Sequence, residues 1–85
     1  MDVLRYKTVT GTDGASTVST GGLNLAQIIK VSRQGIQHDY SGGLIAINEL
    51  NRQFAFLSWN KRIVFNSLNP FVGDEVIHII YKVTT

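Results

Sequence analysis

Turn-forming residues recur roughly every 8–12 positions along this chain, and no apolar period of helical spacing runs between them far enough to build a bundle. Gln34-Gly35, Ser41-Gly42-Gly43, Asn60-Lys61 and the stretch holding Pro70 and Gly73-Asp74 mark the breaks. Between them the apolar residues alternate. From 76 to 83, Ile77, Ile79, Tyr81 and Val83 fall on one face and Val76, His78, Ile80 and Lys82 on the other, the period of a β-strand. From 3 to 10, Leu4, Tyr6 and Thr8 share one face and Arg5 and Lys7 the other, as in a half-buried strand. Ile28, Ile29 and Val31 precede the Gln34-Gly35 turn and favour a strand over 27–33, after a short turn at 23–26. Residues 36–40, 54–59 and 62–65 read as further strands, 44–48 is another short apolar run, and 49–52 a bend or bulge. Leu68 and Phe71 are expected to anchor the turn region 66–75 to the core.

The fold class that follows is all-β: a small antiparallel β-sandwich, jelly-roll or Ig-like, of six to eight strands. With 85 residues it is one domain, 1–85. The exception to the strand pattern is 11–22, GTDGASTVSTGG, where nine of twelve residues are Gly, Ser or Thr and only Ala15 and Val18 are apolar. It reads as a Gly/Ser/Thr-rich arm or loop that orders on docking to a neighbour.

Composition excludes several functions. There are no cysteines, hence no disulfide framework and no thiolate zinc site. The net charge of +2, with 16% of residues charged, is too mild for a nucleic-acid-binding arm. Lys30, Arg33, Arg52, Lys61 and Arg62 are scattered, and on outer strand faces such residues usually only solvate a sheet. An oligonucleotide-binding barrel, with Trp59 and Tyr40 as its platform, is therefore disfavoured. No apolar run reaches membrane-spanning length, and Met-Asp-Val-Leu-Arg lacks the character of a signal peptide; synthesis and folding in a cytoplasm and no membrane contact are expected.

No catalytic constellation is legible. His38 and Asp39 would point to opposite faces of a strand, His38 and His78 lack metal-ligand spacing, and the serines lack a nucleophile-elbow context. Asp74 and Glu75 sit in a turn, where carboxylates more often end a strand than act as acid and base. No enzyme activity, cofactor or metal is expected. What needs explaining is apolar surplus: 54–59, 62–65 and 76–83 carry apolar residues on both faces. A contiguous apolar patch normally marks an interface. The contact residues expected are Ala15 and Val18 in the arm and Trp59, His78 and Ile80 on the second face, with Trp59 open to a core role as well.

Arg62-Ile63-Val64-Phe65 leads through Leu68 and Pro70-Phe71 into Gly73-Asp74-Glu75-Val76-Ile77-His78-Ile79-Ile80-Tyr81-Lys82. With the upstream Ile28-Ile29-Lys30-Val31-Ser32-Arg33-Gln34-Gly35, it resembles small β-sandwich domains of tailed-bacteriophage virion proteins, over about residues 25–83. The resemblance implies a structural role as a capsid decoration, head-fibre or tail-associated component, located in the virion. It further implies other virion proteins as partners and carries no catalytic residues, while the apolar second faces lead to the expectation of a homo-oligomer. The rival expectation is a carbohydrate-binding or host-recognition module with Trp59 and Tyr40 as a stacking platform.

Overall fold

A computed structural model describes residues 1–42 and 52–84; the expected apolar run 44–48 and most of the bend 49–52 lie outside the described residues. The described residues form seven strands: β1 (Asp2–Thr10), β2 (Thr17–Ser19), β3 (Ile28–Arg33), β4 (Ile36–Tyr40), β5 (Gln53–Leu57), β6 (Arg62–Val64) and β7 (Val76–Thr84). One 3-10 turn, Leu25–Gln27, precedes β3, where a short turn was expected. The all-β class holds. The pairing is mixed, however, because β4 and β5 run parallel through Asp39–Gln53 and Tyr40–Phe54, while the other pairs are antiparallel. The order β1-β7-β3-β4-β5-β6-β2 is one sheet curled into a half-barrel, in place of two separate antiparallel layers.

Local chemistry explains the elements. Gln34 and Gly35 both take positive φ, 55° and 75°, the two-residue hairpin geometry that matches strand twist. The β5–β6 connection is longer than the expected Asn60-Lys61 pair: β5 ends at Leu57, and 58–61 form the turn, with Lys61 at φ 55°. Curling turns Val31, Ile77 and Ile79 of β3 and β7 toward Val18, Phe54 and Ile63 of β2, β5 and β6, with Phe65 and Phe71 completing the core.

Segment 11–22 is part of this architecture and not an arm awaiting a partner. Gly11 N–H donates to Glu75 O (2.7 Å), Phe71 N–H to Ala15 O (2.7 Å) and Phe65 N–H to Ser16 O (2.8 Å). Val18, paired with Ile63, is buried. Thr20 is wholly buried: its hydroxyl donates to Lys61 O (2.7 Å) and accepts from Leu23 N–H (3.1 Å). Lys7 Nζ of β1 donates to Thr20 O (2.8 Å), so the two edges of the sheet are tied across the seam. Threonine to valine at 20 keeps the volume but leaves Leu23 N–H without its acceptor. The expected cost is about 1–3 kcal/mol, read from the urea midpoint; an unchanged midpoint would show the hydroxyl to be dispensable.

One core element is ionic. Arg33, 2% exposed, does not solvate an outer face as a strand cation was expected to do. Its Nε donates to Glu75 Oε1 (2.5 Å), and its Nη2 to Glu75 Oε2 (3.2 Å) and Pro70 O (3.2 Å). The guanidinium lies 4.9 Å from the Phe71 ring centre and 5.1 Å from that of Phe65. Burial pushes the Glu75 carboxyl upward, but hydrogen bonds from Arg33 and Val72 N–H, the Arg33 charge and a hydrogen bond from Gln34 together hold it below its ordinary value of 4.5.

Candidate functional site

The face of β1, β7 and β3 turned away from the core is the candidate site. Register sets its composition. Leu4 lies opposite Lys82, Tyr6 opposite Ile80, Thr8 opposite His78 and Thr10 opposite Val76. Across β7, Ile80 adjoins Lys30 and His78 adjoins Ser32. Opposed side chains on one face of a sheet touch, so Leu4, Tyr6 and Ile80 form one apolar cluster, and Val76 stands apart from it beyond the Thr8–His78 pair. Leu4 is 65% exposed, Tyr6 61% and Val76 42%, while Ile80 is half-buried between its neighbours. A register shift between Ile28 and Lys30 accommodates Ile29 as an extra residue, and Ile29 is exposed too. Bulges of this kind re-aim side chains.

Polar groups on this face are largely satisfied among themselves. The Tyr6 hydroxyl is hydrogen-bonded to His78 Nδ1, with ring centres 5.8 Å apart. Lys82 Nζ stands 4.0 Å from Asp2 Oδ2, and Thr84 Oγ1 donates to Asp2 Oδ1 (2.8 Å).

The face of β1 expected to be the buried one, Leu4, Tyr6 and Thr8, is therefore the outer one. Val3, Lys7 and Val9 point to the interior side. Leucine and tyrosine outweigh valine and lysine in apolar area, which misleads a reading by hydropathy. Lysine on the inner side is accommodated because its stem packs while its ammonium reaches a carbonyl at the seam.

Of the expected contact residues, His78 and Ile80 lie together on this face. Val18 is in the core, and Ala15 is half-buried against it. Trp59 belongs neither to the core nor to a strand: it is 80% exposed in the β5–β6 turn. Leu68, expected as an anchor, is 89% exposed, whereas Phe71 is buried. Leu4 and Tyr6 were missed as surface residues; the signal available was the apolar second face of 76–83, which needs an apolar neighbour strand. Arg33 is committed to Glu75, and Arg62 donates through Nε and Nη2 to Thr17 (3.2 Å each), so the scattered cations do not converge on a single patch.

Comparison with known proteins found no matching family model, no matching curated protein and no matching solved structure.

Proposed function

We propose that this chain is a small structural protein of a tailed-bacteriophage particle, a capsid decoration, head-fibre or tail-associated component present in many copies alongside other virion proteins. Copies meet through the outer face of β1, β7 and β3. The observation that carries this is the cluster Leu4, Tyr6 and Ile80, apolar and on the outer face of a sheet whose other side packs the core. The virion assignment draws on the sequence resemblance over 25–83.

A second copy is the occupant that fits this face. A two-fold operator brings identical patches together, which requires a patch with no uncompensated charge at its middle. Here the patch is Leu4, Tyr6 and Ile80; Lys82 beside Leu4 faces Asp2, and the exposed Lys30 beside Ile80 on β3 keeps its ammonium in water at the rim of the contact. Two such faces stack as sheets do, about 10 Å apart, with Tyr6 and Ile80 of each copy against those of the other. Lysine placed at Leu4 or Ile80 puts two charges into that dry contact while leaving the core untouched. The expected result is loss of association in sedimentation equilibrium, with thermal stability of the monomer near that of the parent chain. Association undiminished in both variants would refute this face as the contact.

A further inference from the structure

β1 ends the strand order, so β7 covers only one of its two edges. Gly11, which follows β1, donates its N–H to Glu75 O on the β7 side. Successive residues of an antiparallel strand turn their backbone groups to alternate sides. The N–H and C=O of Asp2, Leu4, Tyr6, Thr8 and Thr10 therefore point away from β7, along the outer edge. The C-terminal end of that edge faces β2: Lys7 Nζ reaches Thr20 O (2.8 Å), and Val9 and Thr10 line a groove with Thr17, Val18 and Ser19. Along residues 2–6 no strand adjoins it among the described residues, and Asp2, Leu4, Arg5 and Tyr6 are exposed. The pairing with β7 runs from Asp2 to Thr10 without a register shift, and β1 contains neither proline nor glycine. A straight, uninterrupted edge is a template for another strand.

We propose that this edge of β1 pairs antiparallel with the same edge of a second copy, centred on Leu4, and thereby joins two face-stacked pairs into a closed assembly of four. The inference rests on the outer-face contact proposed above.

Charge selects the register. A two-fold axis perpendicular to the sheet keeps outward side chains outward, so only positions on the same face of β1 can oppose each other. Centred on Tyr6, the pairing sets Arg5 against Lys7 of the other copy and draws on the stretch that β2 already faces. Centred on Arg5, it sets two arginines against each other. Like charges directly opposed destabilise a sheet. Centred on Leu4, Leu4 meets Leu4, Asp2 meets Tyr6 and Val3 meets Arg5, whose stem covers the valine. No like charges are opposed over residues 2–6. Backbone phase agrees, because Asp2, Leu4 and Tyr6 are the residues whose N–H and C=O face this edge. Lysine on an edge strand ordinarily blocks such pairing, but Lys7 lies beyond the paired stretch. The same pairing sets two Leu4–Tyr6–Ile80 clusters side by side on one outer face, enlarging the surface on which a second pair stacks. The edge and face axes are perpendicular, so four copies use every such edge and face.

The chain has no cysteine, so a single introduced thiol has only another copy's thiol to join. Val3→Cys and Arg5→Cys, mixed in equal amounts and oxidised, should give the mixed disulfide at least about tenfold over the dimer that either variant forms with itself. Positions 3 and 5 are directly opposed, whereas like positions stand diagonally, beyond bridging distance. Both lie on the inner side of β1, so stacking of outer faces does not link them. In the parent chain, Leu4 and Tyr6 amide protons should exchange at least about a hundredfold more slowly at assembling concentration than after dilution, and the assembled mass should be that of four copies. A mass of two copies, with those amides exchanging at their dilute rate, would overturn the edge pairing and leave the face contact standing. Mixed disulfide no more abundant than the self-linked dimers would overturn it as well. A monomer at every concentration would overturn both contacts.

Discussion

Substituting Glu75 by alanine is expected to destabilise the domain by about 3–5 kcal/mol, because it strands a buried guanidinium. Arg33 has 2% of its side chain exposed and Glu75 8%, so water cannot take over the lost bonds. Two of the three hydrogen bonds Arg33 makes go to this carboxylate, and Val72 N–H donates to it as well (3.2 Å). Arg33 Nη1 is already buried without a partner, so the cation has no reserve. Acid should act in the same direction. The Glu75 pKa is lower in the folded state than in the unfolded chain, so its contribution is complete above about pH 4.5 and is lost as pH falls through the folded value. Urea titrations across that range should show the parent losing stability more steeply than Glu75→Ala. Replacing both partners by apolar residues, Arg33→Met with Glu75→Leu, should recover much of the loss, since the penalty lies in the unpaired charge. A single-variant loss below about 1 kcal/mol would show that the pair behaves as an exposed one.

Phe71→Ala should cost a comparable amount, about 3–5 kcal/mol. The ring is 1% exposed, meets Phe65 edge-on at 5.7 Å and lies under the Arg33 guanidinium. It also rests on Gly11 so closely that a Cβ there would stand 2.5–2.8 Å from three ring atoms. Glycine is required at 11 for this approach. Backbone bonds on both sides of the ring, Gly14 N–H to Phe71 O (2.9 Å) and Phe71 N–H to Ala15 O (2.7 Å), fasten the 66–75 segment over 11–15. Gly11→Ala alone should therefore destabilise through the clash, yet cost less in the Phe71→Ala background, where the methyl has room. A double-mutant cycle reads that coupling directly. Additive effects would mean that the two segments do not bear on each other as described.

Much of the fold is legible in local pattern, and what is not legible is long-range. Ile77 and Ile79 alternate cleanly with His78 and Ile80, and Gln34-Gly35 is a two-residue hairpin signal; both regions form as expected. The sequence around 11–22 looks like an arm because threonine, serine and glycine carry no apolar signal. Thr20 is buried through hydrogen bonds to Lys61 and Leu23, which composition does not reveal. The Arg33–Glu75 pair joins positions 42 apart, and neither residue alone marks a core. The parallel β4–β5 pairing depends on a crossover that turn signals do not specify. At the candidate site, His78 and Ile80 were readable from the second apolar face of 76–83. Leu4 and Tyr6 were not, because the alternation in β1 gives two faces but not which of them turns inward.

The claim that copies meet through this outer face is tested most directly by the solution mass of the parent chain, measured by light scattering over a concentration series. The account predicts a discrete closed oligomer that dissociates on dilution and is absent in Ile80→Lys. A parent chain that remains monomeric at every concentration, or an Ile80→Lys variant that assembles as the parent does, would contradict it.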